Sequence, residues 1–156
     1  MCLYTKQKEF KTDKDIRVYK AVRIDTRTNE WLGLYGYDKR RFPFDELVEN
    51  GRKKDVRTLD EKISPDAEVE YFVEGGFFHS CAALALARGY KDDVDFINDA
   101  FYGRGGNKDL KGLMLHKDYV KTGVFECTIP KGTVCYVDDR GRFASRKIVV
   151  HGKRLY

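Results

Sequence analysis

No stretch of this 156-residue chain is apolar over the ~20 residues that a membrane-spanning helix needs. Its first residues, MCLYTKQKEFKTDKD, lack the apolar centre of a secretory signal, so a cytoplasmic protein is expected. None of its four cysteines, at positions 2, 81, 127 and 135, is spaced from another as CxxC. No cysteine–histidine spacing matches a zinc site either, so no metal is expected. In the cytoplasm such thiols stay reduced. The chain has no internal repeat and no low-complexity linker. One domain spanning residues 1–156 is therefore expected, and a domain of that length buries about 68–70% of its unfolded surface without staples.

What is present is charge. Lysine and arginine number 30 against 25 acidic residues, a net charge of +5. That balance permits a phosphate-bearing or acidic partner without requiring one. Basic clusters stand at Lys39-Arg40-Arg41, Arg52-Lys53-Lys54 and Arg146-Lys147. Each is either a solvated loop or helix end, or a contact for anions. Tyr35, Tyr37, Phe42 and Phe44 interleave with the first cluster, a mixture that could stack bases while cations hold phosphates. No nucleic-acid motif accompanies it, so nucleic acid is not the expected partner.

Residues 16–24, IRVYKAVRI, alternate as a half-buried strand does. Lys20 falls on the apolar face, between Val18 and Val22. A charge there needs a partner, a cleft, or a strand end from which its stem can snorkel. WLGLYGY (31–37) reads as a second strand, and PFDELVENG (43–51) as a short helix with Pro43 near its start and Gly51 at its end. EVEYFVEGG (68–76) is strand-like. Ser80 then suits the cap of a helix over Cys81–Arg88 closed by Gly89, with a second helix near 92–102. GRGGNKD (103–109) reads as a loop, too weak a pattern for a phosphate cradle. VFECTIPKG (124–132), TVCYVDD (133–139) and RFASRKIVV (142–150) are three β segments with turns at IPKG and DDRG. About six strands and three short helices predict an α+β fold of split antiparallel sheets.

The stretch EGGFFHSCAALALARGY (74–90) holds the chemically capable residues. His79 precedes the expected helix start, where free N–H groups and the helix dipole favour an anion, so it contacts a ligand or packs against a strand. Cys81 is either a thiol with a lowered pKa in a first helical turn or a small core residue. Cys127 and Cys135 read as core hydrophobes. Cys2 would become an N-terminal nucleophile carrying its own base if Met1 were removed.

The order of elements resembles the ADP-ribosyltransferase fold, a split pair of sheets around an NAD cleft. Tyr19-Lys20 stands where that family has a nucleotide-holding Tyr-Arg or Tyr-His pair. GGFFHSCAALALARGY stands in its middle segment, VFECTIPKG matches its strand ending in Ile/Val-Pro-Lys-Gly, and RFASRKIVV takes the place of the strand with the catalytic glutamate. The resemblance covers residues 16–150, leaving 1–15 as an N-terminal extension. At the glutamate position the chain has Lys147, with Ser145 and Arg146 beside it; no acid lies in 142–150, and the nearest are Asp138 and Asp139. A lysine there would repel the oxocarbenium-like charge that the reaction develops. The stretch CYVDDRGRFASRKI is also similar to the C-terminal hairpin of the RNA 2′-phosphotransferases. The opening Met-Cys-Leu, with the Phe-His-Ser and Ile-Pro-Lys-Gly stretches, resembles small proteins of gut bacteria, their phages and mobile elements.

The resemblance thus implies a non-catalytic binding or inhibitor protein. Its cleft, lined by Tyr19, Lys20, Phe78, His79 and Ser80 with Arg146 and Lys147 in the acid's place, would hold a host protein or a nucleotide such as NAD. Two alternatives stand beside it. One is an NAD-dependent mono-ADP-ribosyltransferase with a displaced acid, Glu70, Glu74 or Glu126. The other is a cysteine hydrolase using Cys2 or Cys81.

Overall fold

The computed structural model describes residues 3–34, 40–51, 55–59, 70–73, 76–102 and 120–156. The alternation of residues 16–24 becomes β3 (Ile16–Asp25), which pairs with three other strands. Val18 and Val22 are fully buried on one face, while Ala21 packs on the other. Ahead of it lie β1 (Leu3–Thr5) and β2 (Phe10–Lys11). After it come β4 (Glu30–Leu32), β5 (Leu47–Glu49), β6 (Val56–Leu59), β7 (Glu70–Val73) and β8 (Phe78–Cys81). The helix α1 (Leu84–Tyr102) follows, then β9 (Val120–Ile129), β10 (Val134–Val137), β11 (Arg142–Ser145) and β12 (Lys147–Arg154).

All described pairings are antiparallel. A small sheet has the order β1-β7-β6; the large one runs β2-β10-β11-β8-β3-β9-β12-β5, with β4 beside β3. The described part of the chain is therefore α+β, mostly antiparallel sheet with one helix. The large sheet closes on itself. Only Arg146 separates β11, which pairs with β8, from β12, which pairs with β9. Because β8 and β9 both flank β3, the bent β11–β12 strand completes a ring. Inside it pack Val18, Val22, Trp31, Phe78, Phe125, Cys127, Cys135, Ile148 and Val150. Each fully buried aliphatic side chain there contributes roughly 1.5–3 kcal/mol.

The Ile-Pro-Lys-Gly turn joins β9 to β10. Thr12 grips it: its N–H donates to Thr133 O and its hydroxyl to Pro130 O, while Gly132 N–H donates to Thr12 O. Gly132 takes a left-handed φ of 80° there, which glycine adopts without strain. At the other turn, Asp138 Oδ1 accepts from the N–H groups of Arg140 and Arg142. Residues ahead of Ile16 are thus woven into both sheets.

Several expected elements differ. Residues 43–51 are not helical: Asp45 has φ 61°, which stops a right-handed helix, and Leu47–Glu49 pairs with β12 instead. The two expected helices are one. Gly89 does not end the first, because Leu84, Ala87, Tyr90 and Val94 form a continuous stripe against the sheet and offset the ~1 kcal/mol that an internal glycine costs. Ser80 and Cys81 belong to β8, so Ser80 caps no helix and α1 begins three residues after Cys81. The described residues form twelve strands, not six, partly because Arg146 splits the last segment in two. The 103–109 loop and most of 33–39 and 60–69 lie outside the described residues, as do Cys2, Glu74, Arg52-Lys53-Lys54, Tyr35, Tyr37 and Lys39. Among the described residues no helix is long and apolar enough to cross a membrane.

Candidate functional site

Strands β3 and β8 are neighbours, so Tyr19, Lys20, Phe78, His79 and Ser80 do come together. The pleat then divides them, since successive side chains point to opposite faces. Lys20, Phe78 and Ser80 point into the ring. Tyr19 and His79 share the face of Cys81, the one that α1 covers. Lys20 is 8% exposed, and its Nζ donates to His79 O at 2.6 Å, 6.0 Å from the Trp31 ring. Burial lowers its pKa from the ordinary lysine value, partly offset by the nearby Cys127 and Cys81 sulfurs. The partner this charge needs is thus a backbone carbonyl inside the protein, not a ligand at a cleft. Phe78 meets Trp31 and Phe42 edge-on. Ser80 Oγ is buried and makes no hydrogen bond.

The cysteines are equally withdrawn. Burial pushes the Cys81 thiol up to about 11, the reverse of the lowering a helix start would produce. Cys127 and Cys135, as expected, are core residues, and burial pushes each up to about 12. Arg146 spends its guanidinium on Gly51 O, through Nε and Nη2 at 3.2 and 2.9 Å. Lys147 lies in β12 opposite Glu49. Of the three displaced acids considered, Glu70 sits in the small sheet, Glu74 is outside the described residues, and Glu126 stands directly opposite Tyr19. Phe42 and Phe44 pack against the core rather than presenting rings to bases.

The outer face of β3, β9, β12 and β5 is different. One row crosses all four strands: Arg17 opposite Thr128, Thr128 opposite Val149, Val149 opposite Leu47. The row is open, with Leu47 55% exposed and the Arg17 side chain 71% exposed. Arg17 Nε lies 3.6 Å from Glu126 Oε1. Thr128 Oγ1 lies 2.8 Å from His151 Nε2, and His151 Nδ1 lies 4.0 Å from Asp45 Oδ1. With its proton on Nδ1, toward Asp45, the imidazole accepts the threonine hydroxyl at Nε2.

Three backbone features build this arrangement. The β12 register shifts between Val150 and Arg154, the stretch that holds His151. Asp45 is held left-handed while its N–H donates to Val150 O at 2.8 Å and its Oδ1 accepts from Gly152 N–H at 2.9 Å. A Cβ at Gly152 would meet Asp45 Oδ2 at 2.7 Å, so only glycine fits without displacement. Sequence reasoning missed this group. Its members come from three distant segments, and the only local signal was a histidine–glycine pair closing an apolar strand.

Among the described residues no three His, Cys, Asp or Glu side chains are grouped to hold a metal ion. Compared with family models, with curated proteins and with solved structures, the chain matches none of them.

Proposed function

We propose that this chain is a binding protein on a scaffold like that of the ADP-ribosyltransferases, acting by holding a nucleotide rather than through a thiol or an NAD-orienting acid. The observation that carries the reading is the division of charge between the two faces of the large sheet. The interior cation Lys20 is committed to a backbone carbonyl, whereas Arg17 and Lys147 stand on the outer face, Arg17 two residues along β3 from Tyr19. Cations on an open face suit phosphate groups. The likeness to small phage and mobile-element proteins makes a host protein the competing partner.

Calorimetry against NAD, ADP-ribose and cyclic nucleotides tests this. Binding of one of them, weakened at least tenfold by Arg17→Glu or Lys147→Glu, is the expected result. No heat with any of the three overturns the nucleotide reading and leaves a host protein, to be sought by pull-down.

A second reading has one observation in its favour. Glu126 pairs with Tyr19 on the outer face, so it could serve a mono-ADP-ribosyltransferase as its displaced acid. That reading expects NAD turnover that Glu126→Gln abolishes, and a flat NAD hydrolysis assay removes it.

A further inference from the structure

Beyond ligand binding, we infer that Thr128, His151, Asp45 and Arg17 form a hydroxyl-activating site that hydrolyses short-chain esters. The inference rests on how three roles fall on adjacent strands. A nucleophile needs a base within hydrogen-bond reach, the base needs an orienting group behind it, and the developing oxyanion needs a positive charge. Thr128 Oγ1 and His151 Nε2 are 2.8 Å apart. Asp45 Oδ1 stands behind His151 Nδ1 at 4.0 Å, beyond hydrogen-bond length but near enough to orient the ring by its charge. Arg17 is the direct cross-strand neighbour of Thr128, which puts their β-carbons within about 5.5 Å. Its guanidinium also faces Glu126, the one acid that competes for it among the described residues.

The rest of the row supplies the substrate class. On the side of Thr128 away from Arg17 stand Val149 and then Leu47, two apolar side chains on an open surface. A short aliphatic acyl chain would lie along them with its carbonyl oxygen toward Arg17.

The chemistry balances with water as the only co-reactant. Thr128 Oγ adds to the ester carbonyl carbon while His151 Nε2 takes the hydroxyl proton, and the C=O electron pair moves onto oxygen beside Arg17. Collapse of that intermediate breaks the bond to the alcohol oxygen, which leaves with the proton from His151. Water then adds to the acyl-threonine with His151 again as base. Breaking the Thr128 ester bond releases the carboxylic acid and restores the hydroxyl. Asp45 is a positioning residue in this scheme, held by its backbone contacts to Val150 and Gly152.

The backbone around the site argues that it is built. A register shift, a left-handed non-glycine residue and a glycine whose added Cβ would meet Asp45 Oδ2 all border the His151–Asp45 contact. Strained conformations of this kind concentrate where a side chain must be held in one place.

Hydrolysis of 4-nitrophenyl butyrate by the full chain, with mass-spectrometric mapping of a fluorophosphonate adduct, tests the inference. The expected result is turnover above buffer, an adduct on Thr128, and a loss of about 10²-fold or more in His151→Ala. Thr128→Val should abolish turnover and labelling while Thr128→Ser keeps both, which separates lost chemistry from lost folding. Asp45→Asn should lower turnover with little change in KM. Turnover at the buffer rate, or a folded Thr128→Val protein as active as the wild type, overturns the inference. Neither result bears on nucleotide binding, which the calorimetry reads separately.

Discussion

The two faces of the large sheet carry similar residue types and treat them in opposite ways. Inside the ring, Lys20, Ser80, Cys127 and Cys135 are buried, and the one ammonium among them is bound to a carbonyl. Outside, Thr128 contacts His151, Arg17 is its cross-strand neighbour, and the side chains of Arg17 and His151 reach solvent. Along β3 and β9 the difference between the two fates is a single residue step. Lys20 is interior and Tyr19 is not; Cys127 is interior and Thr128 is not. A reactive residue type therefore says little until the pleat has assigned it a face.

The sharpest break of this comparison uses adjacent positions in β12. Ile148 is fully buried and Val149 is on the outer face. Ile148→Ala should lower unfolding free energy by about 2–5 kcal/mol, against less than ~1 kcal/mol for Val149→Ala, as read by urea denaturation. Equal effects would mean that the face assignment of β12 is wrong. Next in size is Gly152→Ala. Its Cβ meets Asp45 Oδ2, the tip of an exposed side chain that can move, so a loss of about 1 kcal/mol is expected, with much of it recovered in the Gly152→Ala/Asp45→Gly double variant. Additive losses would show that Asp45 does not set that limit.

The smallest effect is a pH slope. Burial lowers the Lys20 pKa in the folded chain, so the unfolded chain holds more protons in the window between that lowered value and the ordinary 10.5. Stability of the wild type should therefore rise with pH through that window relative to Lys20→Met. The raised thiols act in the opposite sense above the ordinary value of 9.0, and Cys81 and Cys127 are coupled to Lys20, so the difference is read below pH 9. A flat difference would indicate that Lys20 is hydrated.

Strand β3 was legible because its period of two is written in apolar residues, and so was the burden of Lys20 on its inner face. The IPKG and DDRG turns were legible from glycine and proline chemistry, and Cys127 and Cys135 from their strand-like surroundings. The helix boundaries were not. Ser80 and Gly89 are good cap residues, but β8 pairs with β11 through Cys81, and the apolar stripe of α1 carries the helix past Gly89. Residues 43–51 carry helix-start chemistry that Asp45 forfeits to reach β12. The residues proposed for the cleft were adjacent, as expected, yet consecutive residues on one strand cannot line one wall. The Thr128–His151–Asp45 contact was invisible for a different reason: no spacing joins positions 45, 128 and 151 until the sheet has closed.

The central claim, that the Phe-His-Ser-Cys strand is locked away between the core and α1 while the outer face of β9, β12 and β5 is available, is tested most directly by diethyl pyrocarbonate modification of the folded protein with peptide mapping. His151, with its side chain 43% exposed, should be modified readily, and His79, 5% exposed, should stay protected until the chain is unfolded. Modification of His79 as fast as that of His151 in the folded protein would contradict the account.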